Sequence, residues 1–214
     1  MSLWLIIPIR GLASGKSRLA GSLSPLERRQ FNTDCLNRTL DAFFQAEGSP
    51  ARSIVVSPDE DALRHASTRG AVALREHSVG NLNLAVRQAS DLARQKGAAQ
   101  LLILASDLPR MSAEALRLVI SGPDAAGVRI IVDKTGKGTN GLLLPVSAAQ
   151  RFSFGENSFF RHQALFKDLG YRTEAWHDPS LAFDVDTPED LRQWLERRLP
   201  GQEAKRYDSA SRIE

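Results

Sequence analysis

Short apolar runs alternate with longer amphipathic stretches along most of this chain. The first run, Leu3 to Ile9, is too short for a stable helix and is bounded by proline and glycine, so it predicts a buried strand. The same reasoning predicts strands at 53–57, 72–74, 101–107, 128–132, 142–144 and 171–176, and a strand end at 183–186.

The stretches between these strands carry helix signals. Ser24, Pro25 and Glu27 form an N-terminal capping pattern, and Gly48 to Pro50 ends that helix. Further helices are predicted at 59–68, at 80–96, from a cap at Asn157 or Ser158 to Gly170, and from Thr187 onward. This alternation is typical of an α/β fold, a three-layer α/β/α arrangement around a largely parallel sheet with sites at the carboxyl ends of the strands.

Length and composition are those of an ordinary globular protein. The 214 residues are 42% hydrophobic and carry a formal net charge of +3. They predict one domain over 1–200 and a polar, flexible tail over 201–214. The cations are scattered, so no nucleic-acid partner is expected. The amino-terminal apolar run is far shorter than a signal or membrane segment, so no membrane association is expected and the expected location is cytoplasmic.

The sequence after the first strand is rich in glycine, serine and cations. Gly11 and Gly15 offer flexible backbone N–H groups, and Arg10, Lys16 and Arg18 add positive charge. These are the groups that bind a polyphosphate, which indicates a phosphorylated substrate. In the alternative interpretation, Lys16 and Arg18 are solvated residues on the first turn of an ordinary helix.

A P-loop is the obvious rival interpretation of this segment. Gly15-Lys16-Ser17 fits the second half of the P-loop pattern. The first glycine of that pattern would fall at position 10, which is Arg10, and Gly11 leaves one residue too few to encircle a phosphate. The P-loop match therefore fails by one position.

Acidic residues follow two of the predicted strands. Asp107 ends the most apolar strand, where a carboxylate can meet a magnesium ion and a phosphate, although it can equally cap a turn before Pro109. Asp184 and Asp186 alternate with valine, so both carboxylates are expected on one side of an extended segment. Paired carboxylates repel unless a cation or a base lies between them, which makes all three aspartates candidate metal ligands.

Three further segments carry polar side chains, and the first two have two interpretations each. Asn81 and Asn83 either cap a helix or bind a nucleoside. The loop over 133–141 either closes over an anionic ligand or is a solvated turn. Arg161 and His162, in the first turns of a predicted helix, form a candidate anion site.

Several of these segments together carry a family pattern: Arg10 to Leu19, Leu82-Asn83, Asp107-Leu108-Pro109, Gly138 to Leu143, Phe154-Gly155 with Ser158-Phe159 and His162, and Asp184 to Leu191. With them the chain resembles the guanylyltransferases of deazaflavin coenzyme F-420 biosynthesis, named for 2-phospho-L-lactate or phosphoenolpyruvate. The resemblance extends from Leu3 to the region of Leu195. The first and third motifs are shared with sugar-phosphate and molybdopterin nucleotidyltransferases, whereas the Gly-Thr-Asn and Phe-Gly blocks narrow the resemblance to this family.

The resemblance implies a Rossmann-like nucleotidyltransferase fold, related to the GT-A fold, with a mixed, mostly parallel sheet. It also implies transfer of GMP from GTP to a three-carbon phosphorylated acid with release of pyrophosphate, and a magnesium cofactor. The implied roles are catalysis by Lys16, Arg18 and Asp107, nucleotide binding by Arg10, Gly11, Lys16 and Asn83, acceptor binding by Thr139, Gly155, Ser158, Arg161 and His162, and metal binding by Asp107, Asp184 and Asp186.

Some alternatives stay open at this point. The acceptor is phosphoenolpyruvate, 2-phospho-L-lactate or 3-phosphoglycerate, since discrimination among such similar acids depends on pocket shape. The enzyme could instead use CTP or a molybdopterin substrate on the same fold, or be a nucleotide-binding module without chemistry. A homodimer is neither required nor excluded, and the expected partners are small molecules.

Overall fold

The computed structural model describes residues 2–47, 49–121 and 127–196. The predicted tail over 201–214 and the end of the predicted domain over 197–200 lie outside these described residues. Within them, no helix is long and apolar enough to cross a membrane.

Strands and helices alternate through nearly the whole described chain. The strands are β1 (Leu3–Pro8), β2 (Ser53–Ser57), β3 (Val72–Arg75), β4 (Gln100–Leu104), β5 (Val128–Val132), β6 (Thr139–Pro145) and β7 (Thr173–Trp176). The α-helices are α1 (Pro25–Glu47), α2 (Glu60–Thr68), α3 (Leu82–Gln95), α4 (Ala113–Ile120), α5 (Ser158–Asp168) and α6 (Pro188–Glu196). Short 3-10 turns lie at Ser17–Leu19, Pro50–Arg52 and Val146–Ala148.

The strands form one seven-stranded sheet in the order β3-β2-β1-β4-β6-β5-β7. Strand β1 pairs in parallel with β2 and β4, and β5 pairs in parallel with β7. Strand β6 is antiparallel to both of its neighbours, β4 and β5. The prediction of a mixed, mostly parallel sheet is therefore confirmed. Because β1 and β4 are adjacent and parallel, the loops that leave their carboxyl ends begin side by side.

Helices cover both faces of the sheet. Alternate residues of β1 point to opposite faces, so Leu5 packs in one apolar cluster and Ile6 in the other. Leu36 and Leu40 of α1 cover the first face, whereas Val86 of α3 covers the second. This is the predicted three-layer arrangement, with a core on each side of the sheet.

The local capping signals correctly located two helix starts. The backbone N–H of Ser24 donates to Glu27 Oε2 over 2.8 Å at the start of α1. The same reciprocal pattern opens α6, where Thr187 N–H donates to Asp190 Oδ2 over 2.8 Å and Asp190 N–H donates to Thr187 Oγ1 over 3.2 Å. Both starts are defined by groups only three residues apart, which is why sequence alone found them.

The predicted strand end at 183–186 is wrong. This segment lies in the described part of the chain without strand pairing. The two residues just before this segment are instead held by a buried side chain. Asn140 Nδ2 donates to the carbonyl oxygens of Leu181 and Ala182, each over 3.0 Å. Likewise β4 ends at Leu104, so Asp107 stands three residues beyond the strand that was predicted to contain it. Helix α4 was not predicted.

Gly141 sits where three parts of the sheet meet too closely for a side chain. A Cβ at this position would lie 2.8 Å from Ile103 O, from Ile131 Cδ1 and from Leu104 Cδ2. We expect Gly141→Ala to lower the free energy of unfolding by about 1–3 kcal/mol, because backbone and packed side chains would have to shift. Urea unfolding of the wild type and the variant measures this difference in the free energy of unfolding. Gly21→Ala is the matched control, since a Cβ there meets nothing within 4 Å, and equal stability of both variants would contradict the packing described.

Candidate active site

The loop after β1 is fixed at its centre by two side chains from different helices. Leu12 N–H donates to Asp59 Oδ2 over 2.9 Å, and Asn32 Nδ2 donates to Leu12 O over 2.7 Å. The glycines allow this close approach, because a Cβ on Gly11 would lie 2.5 Å from Asp59 Oδ2 and one on Gly15 would lie 2.9 Å from Asn32 Nδ2. The loop is therefore held in place before any ligand binds.

Sequence reasoning missed both of these supporting residues. The sequence predicts Asp59 only as the start of a helix, and it does cap α2, since Asp61 N–H donates to Asp59 Oδ1 over 2.8 Å. Asn32 lies within the apolar pattern of α1 and is buried. A polar residue at a core-facing helix position was the one available signal for Asn32.

Lys16 turns inward from this loop and forms the centre of the site. Its backbone adopts the left-handed conformation, with φ of 60°. Its Nζ donates to the carboxylate of Asp107 and to Asp186 Oδ1, the latter over 2.7 Å. The Lys16 side chain is only 8% exposed. The alternative interpretation of Lys16 as a solvated residue on a helical turn is therefore wrong.

The charge of Lys16 depends on these two carboxylates. Burial by itself lowers the pKa of a lysine, but the negative charges of Asp107 and Asp186 and their hydrogen bonds outweigh burial and raise the pKa of Lys16 above its ordinary value. The lysine is therefore a permanent cation at neutral pH. It lies where the loop after β1, the loop after β4 and the segment before α6 meet.

A cavity of about 430 Å³ lies over this cluster. The exposed guanidinium groups of Arg10 and Arg18 line it, so the predicted cationic groups of the loop do share one space. Its other lining residues are Ile9, Gly11, Gly15, Lys16, Ser17, Asn32, Ser106, Asp107 and Asp186. A concave surface with several cations and backbone N–H groups is suited to a polyphosphate.

The three aspartates do not form a three-ligand cluster. Within the described ranges, no three His, Cys, Asp or Glu side chains converge as a potential metal site. Asp186 pairs with Lys16, whereas Asp107 Oδ1 and Asp184 Oδ1 are buried and have no hydrogen-bond partner among the described residues. Burial, followed by the negative charge of Asp107, raises the pKa of Asp184. Two orphaned carboxylate oxygens thus lie in one electronegative region.

Lys134 supports the acidic segment and was not predicted as a site residue. Its Nζ donates to Asp184 O over 2.6 Å and pairs with Asp190 Oδ1 over 2.6 Å. It also lies 3.8 Å from Asp184 Oδ1. Lys134 therefore fixes the position of Asp184, in a segment that has no strand partner.

The loop predicted over 133–141 is shorter in the structure, because β6 already begins at Thr139. The remaining loop, over 133–138, is organised by its own aspartate. Asp133 Oδ1 accepts hydrogen bonds from Lys137 N–H over 3.0 Å and from Gly138 N–H over 2.8 Å. Phe159 N–H donates to Lys137 O over 2.9 Å, which joins the loop to the first turn of α5. The loop is therefore attached to the helix that carries the candidate acceptor residues.

His162 is buried and holds Thr139. Its Nδ1 lies 3.0 Å from Thr139 Oγ1, and its Nε2 accepts a hydrogen bond from Ser153 N–H over 3.0 Å. Burial, followed by the charge of Arg161, lowers the pKa of His162 to about 4. Both ring nitrogens of His162 are therefore engaged by the protein, one of them by Thr139.

The remaining acceptor residues lie around the start of α5. Arg161 is exposed, and its Nη1 lies 3.8 Å from the position of a Cβ on Gly155. Gly155 needs the conformational freedom of glycine, because its φ is +123°. Ser158 is buried, and Asn157 occupies the cap position without a side-chain capping bond.

The two asparagines before and within α3 have distinct structural roles. Asn81 caps the helix, since Leu84 N–H donates to Asn81 Oδ1 over 3.1 Å. Asn83 accepts from Phe154 N–H over 2.8 Å and donates to Phe154 O over 3.3 Å. Asn83 therefore links α3 directly to the segment that precedes α5.

The chain matches a family described as "Guanylyl transferase CofC like" over residues 3–212. This chain belongs to that family. The phosphoenolpyruvate guanylyltransferase of Sphaerobacter thermophilus is 38% identical over 188 residues, covering 88% of this chain and 90% of the relative. The 2-phospho-L-lactate guanylyltransferase of Methanothermobacter thermautotrophicus is 32% identical over 186 residues, covering 87% and 81%. The predicted family membership is confirmed, and the chain is a nucleotidyltransferase.

Solved structures agree on the fold of this family member. A putative nucleotide-diphospho-sugar transferase from Desulfovibrio desulfuricans G20 superposes with a TM-score of 0.71 at 12% identity, covering 99% of this chain and 95% of that one. Rv0371c of Mycobacterium tuberculosis H37Rv, in complex with manganese, superposes with a TM-score of 0.57 at 18% identity, covering 92% and 100%. The predicted nucleotidyltransferase fold is confirmed, and the P-loop alternative is excluded.

The buried imidazole of His162 makes stability depend on pH. Between pH 6.5 and pH 4 the unfolded chain binds a proton at this histidine and the folded protein does not, so this contribution to stability is complete above pH 6.5 and is lost as the pH falls. We expect the free energy of unfolding to fall by about 2–3 kcal/mol more in the wild type than in His162→Gln between pH 7 and pH 4.5.

Urea unfolding at several pH values measures this difference. His77→Gln, at an exposed position, is the control for loss of a histidine. Parallel pH profiles for the wild type and His162→Gln would show that His162 is not buried as a neutral imidazole.

Proposed function

We propose that this protein transfers GMP from GTP to the phosphate of a three-carbon phosphorylated acid and releases pyrophosphate. The supporting observation is the buried cluster of Lys16, Asp107 and Asp186 beneath a cation-lined cavity, in a member of the guanylyl transferase family. The two relatives named above act on phosphoenolpyruvate and 2-phospho-L-lactate by name, and phosphoenolpyruvate is the acceptor we propose first. The product would then enter coenzyme F-420 biosynthesis.

The triphosphate would bind in the cavity over the loop after β1. Arg10 and Arg18 are exposed there and free to meet phosphate oxygens, and the backbone around Gly11 is held open by Asp59 and Asn32. Lys16 supplies a permanent positive charge at the floor of the cavity. These charges stabilise the pyrophosphate as it leaves, and preorganised charge of this kind is a large contribution to catalysis.

The acceptor would bind between the start of α5 and the segment formed by the loop over 133–138 and the first residues of β6. Thr139, Gly155, Ser158 and Arg161 are the proposed contacts, with His162 positioning Thr139. Since the second pKa of a phosphate monoester is about 6, the attacking oxygen is already anionic at neutral pH and no general base is required. The protein therefore has to align two anions and neutralise their charge.

A divalent cation fits the acidic side of this site. Asp107 Oδ1 and Asp184 Oδ1 are buried oxygens without a hydrogen-bond partner among the described residues, and oxygen ligands of this kind suit magnesium. A structural neighbour binds manganese. We propose that Asp107 and Asp184 hold magnesium, which would supply charge neutralisation at the phosphates. Asp186 instead holds Lys16.

The proposed partners are GTP and the phosphorylated acid. We also propose a cytoplasmic location, where GTP and phosphorylated acids are available together.

Pyrophosphate release tests the reaction directly. We expect release with magnesium, GTP and one of the acids phosphoenolpyruvate, 2-phospho-L-lactate or 3-phosphoglycerate, and none when GTP, the acid or the metal is omitted. Each of the four nucleoside triphosphates is paired with each acid. Release with CTP in preference to GTP, or silence in every GTP mixture, would refute the proposal.

Lys16 should be essential for turnover. We expect Lys16→Met to lower kcat by about 100- to 1,000-fold, because it removes a preorganised charge and leaves Asp107 and Asp186 unneutralised. Asp186 is 47% exposed, so water can solvate the released carboxylate and the protein should stay folded. Lys96→Met, at the exposed C-cap of α3, is the matched control. Near-wild-type turnover of folded Lys16→Met would contradict this role.

A further inference from the structure

A second cavity of about 360 Å³ adjoins the phosphate site. The two cavities share Ile9, Arg10, Ser106 and Asp107. The second is lined mostly by apolar side chains and backbone, in a volume typical of small-molecule sites. Its remaining lining residues are Pro8, Val56, Glu76, Gly80, Leu82, Ala85 and Ala105.

Glu76 places a carboxylate among these apolar walls. Asp107 is the other acid of the cavity, and it is already engaged by Lys16. Glu76 has no ion-pair partner within 2–47, 49–121 and 127–196, and the neighbouring Arg75 pairs with Glu60 instead. Arg10 also lines this cavity, but it forms no ion pair with Glu76 in the described part of the chain, so the carboxylate can still accept hydrogen bonds from a ligand.

The position of Glu76 is fixed from several directions. Glu76 N–H donates to Ser57 O over 2.9 Å at the carboxyl end of β2. The side chain of Gln88 binds the backbone on both sides of it, donating to Arg75 O over 2.8 Å and accepting from His77 N–H over 3.0 Å. Gly80 N–H donates to Glu76 Oε1 over 3.1 Å, which orients the carboxylate itself. The acceptor is therefore preorganised.

The chemistry of this cavity is complementary to one nucleobase. Guanine presents two adjacent donors, N1–H and N2–H₂, which match the two oxygens of a carboxylate in a bidentate pair. Adenine presents an unprotonated N1 at the same place, and its lone pair would face the negative carboxylate. The apolar walls suit the faces of a purine ring. A base in this cavity also lies next to a triphosphate over Lys16, because the cavities are continuous at Arg10.

We propose that Glu76 selects guanine by accepting hydrogen bonds from N1–H and N2–H₂ of the base. This inference rests on the proposed function, and it identifies the residue that gives the enzyme its nucleotide preference. Leu82, which is 43% exposed without a ligand, would pack against the base. None of the sequence motifs pointed to Glu76.

Glu76→Gln tests this proposal, because the variant should gain activity with XTP as well as lose activity with GTP. With xanthine, the NH₂ group of the new amide donates to the C2 carbonyl oxygen and its oxygen accepts from N1–H. With guanine, the same NH₂ group faces the N2 amine, so two hydrogen-bond donors oppose each other. We expect kcat/KM for GTP to fall by about 10- to 100-fold and that for XTP to rise by a similar factor. The wild type should also prefer GTP to ITP, which lacks the N2 amine, and Glu76→Gln should lose that preference.

Glu114→Gln, at an exposed position in the first turn of α4, is the matched control and should keep the wild-type preference. Calorimetric binding of GTP, XTP and ITP to the same proteins separates this proposal from the reaction. A GTP-over-XTP preference in Glu76→Gln within threefold of the wild-type value would overturn the role of Glu76, even if the wild type releases pyrophosphate. If the wild type releases none, a switch in binding preference still supports the role of Glu76 and refutes only the transfer reaction.

Discussion

The site depends on one ion cluster, in which the buried ammonium group of Lys16 is held by Asp107 and by the partly exposed Asp186. These partners stand 91 and 170 residues away from the lysine along the chain. A lysine removed from water is strongly unfavourable unless it is paired, so the cation is stable there only because both carboxylates arrive at the same point. The cluster therefore requires that the ends of β1 and β4 and the segment before α6 converge.

Two polar side chains make that convergence possible. The segment with Asp184 and Asp186 has no strand pairing in the described chain, so Asn140 of β6 and Lys134 hold it by binding its backbone carbonyl groups. Gly141, next to Asn140, lets β6 approach β4 closely. The antiparallel strand β6 thus supports the segment with Asp184 and Asp186, whereas the parallel strands β1 and β4 lead into the loops that carry Lys16 and Asp107.

Hydrogen bonds also join the proposed nucleotide side to the segment before α5, on the proposed acceptor side. Asn83 binds the backbone of Phe154, which lies 71 residues further along the chain, and His162 holds Thr139. Such cross-links suit a transfer in which both reactants are anions and in which alignment and charge neutralisation decide the rate. They also show that polar residues that look like ligands in the sequence, such as Asn83 and His162, make hydrogen bonds within the protein.

The sequence by itself determined most of the elements and the regions that carry chemistry. Capping pairs such as Ser24 with Glu27 act within one helical turn, and the loop around Lys16 and the acid Asp107 are visible as residue types that follow apolar strands. Only the tertiary structure decided that Asp186 pairs with Lys16, that His162 is a buried neutral support, and that Glu76 lies in an apolar cavity. The physical reason is that the role of a polar side chain depends on which partners satisfy it once water is excluded, and these partners come from remote segments that no local pattern encodes.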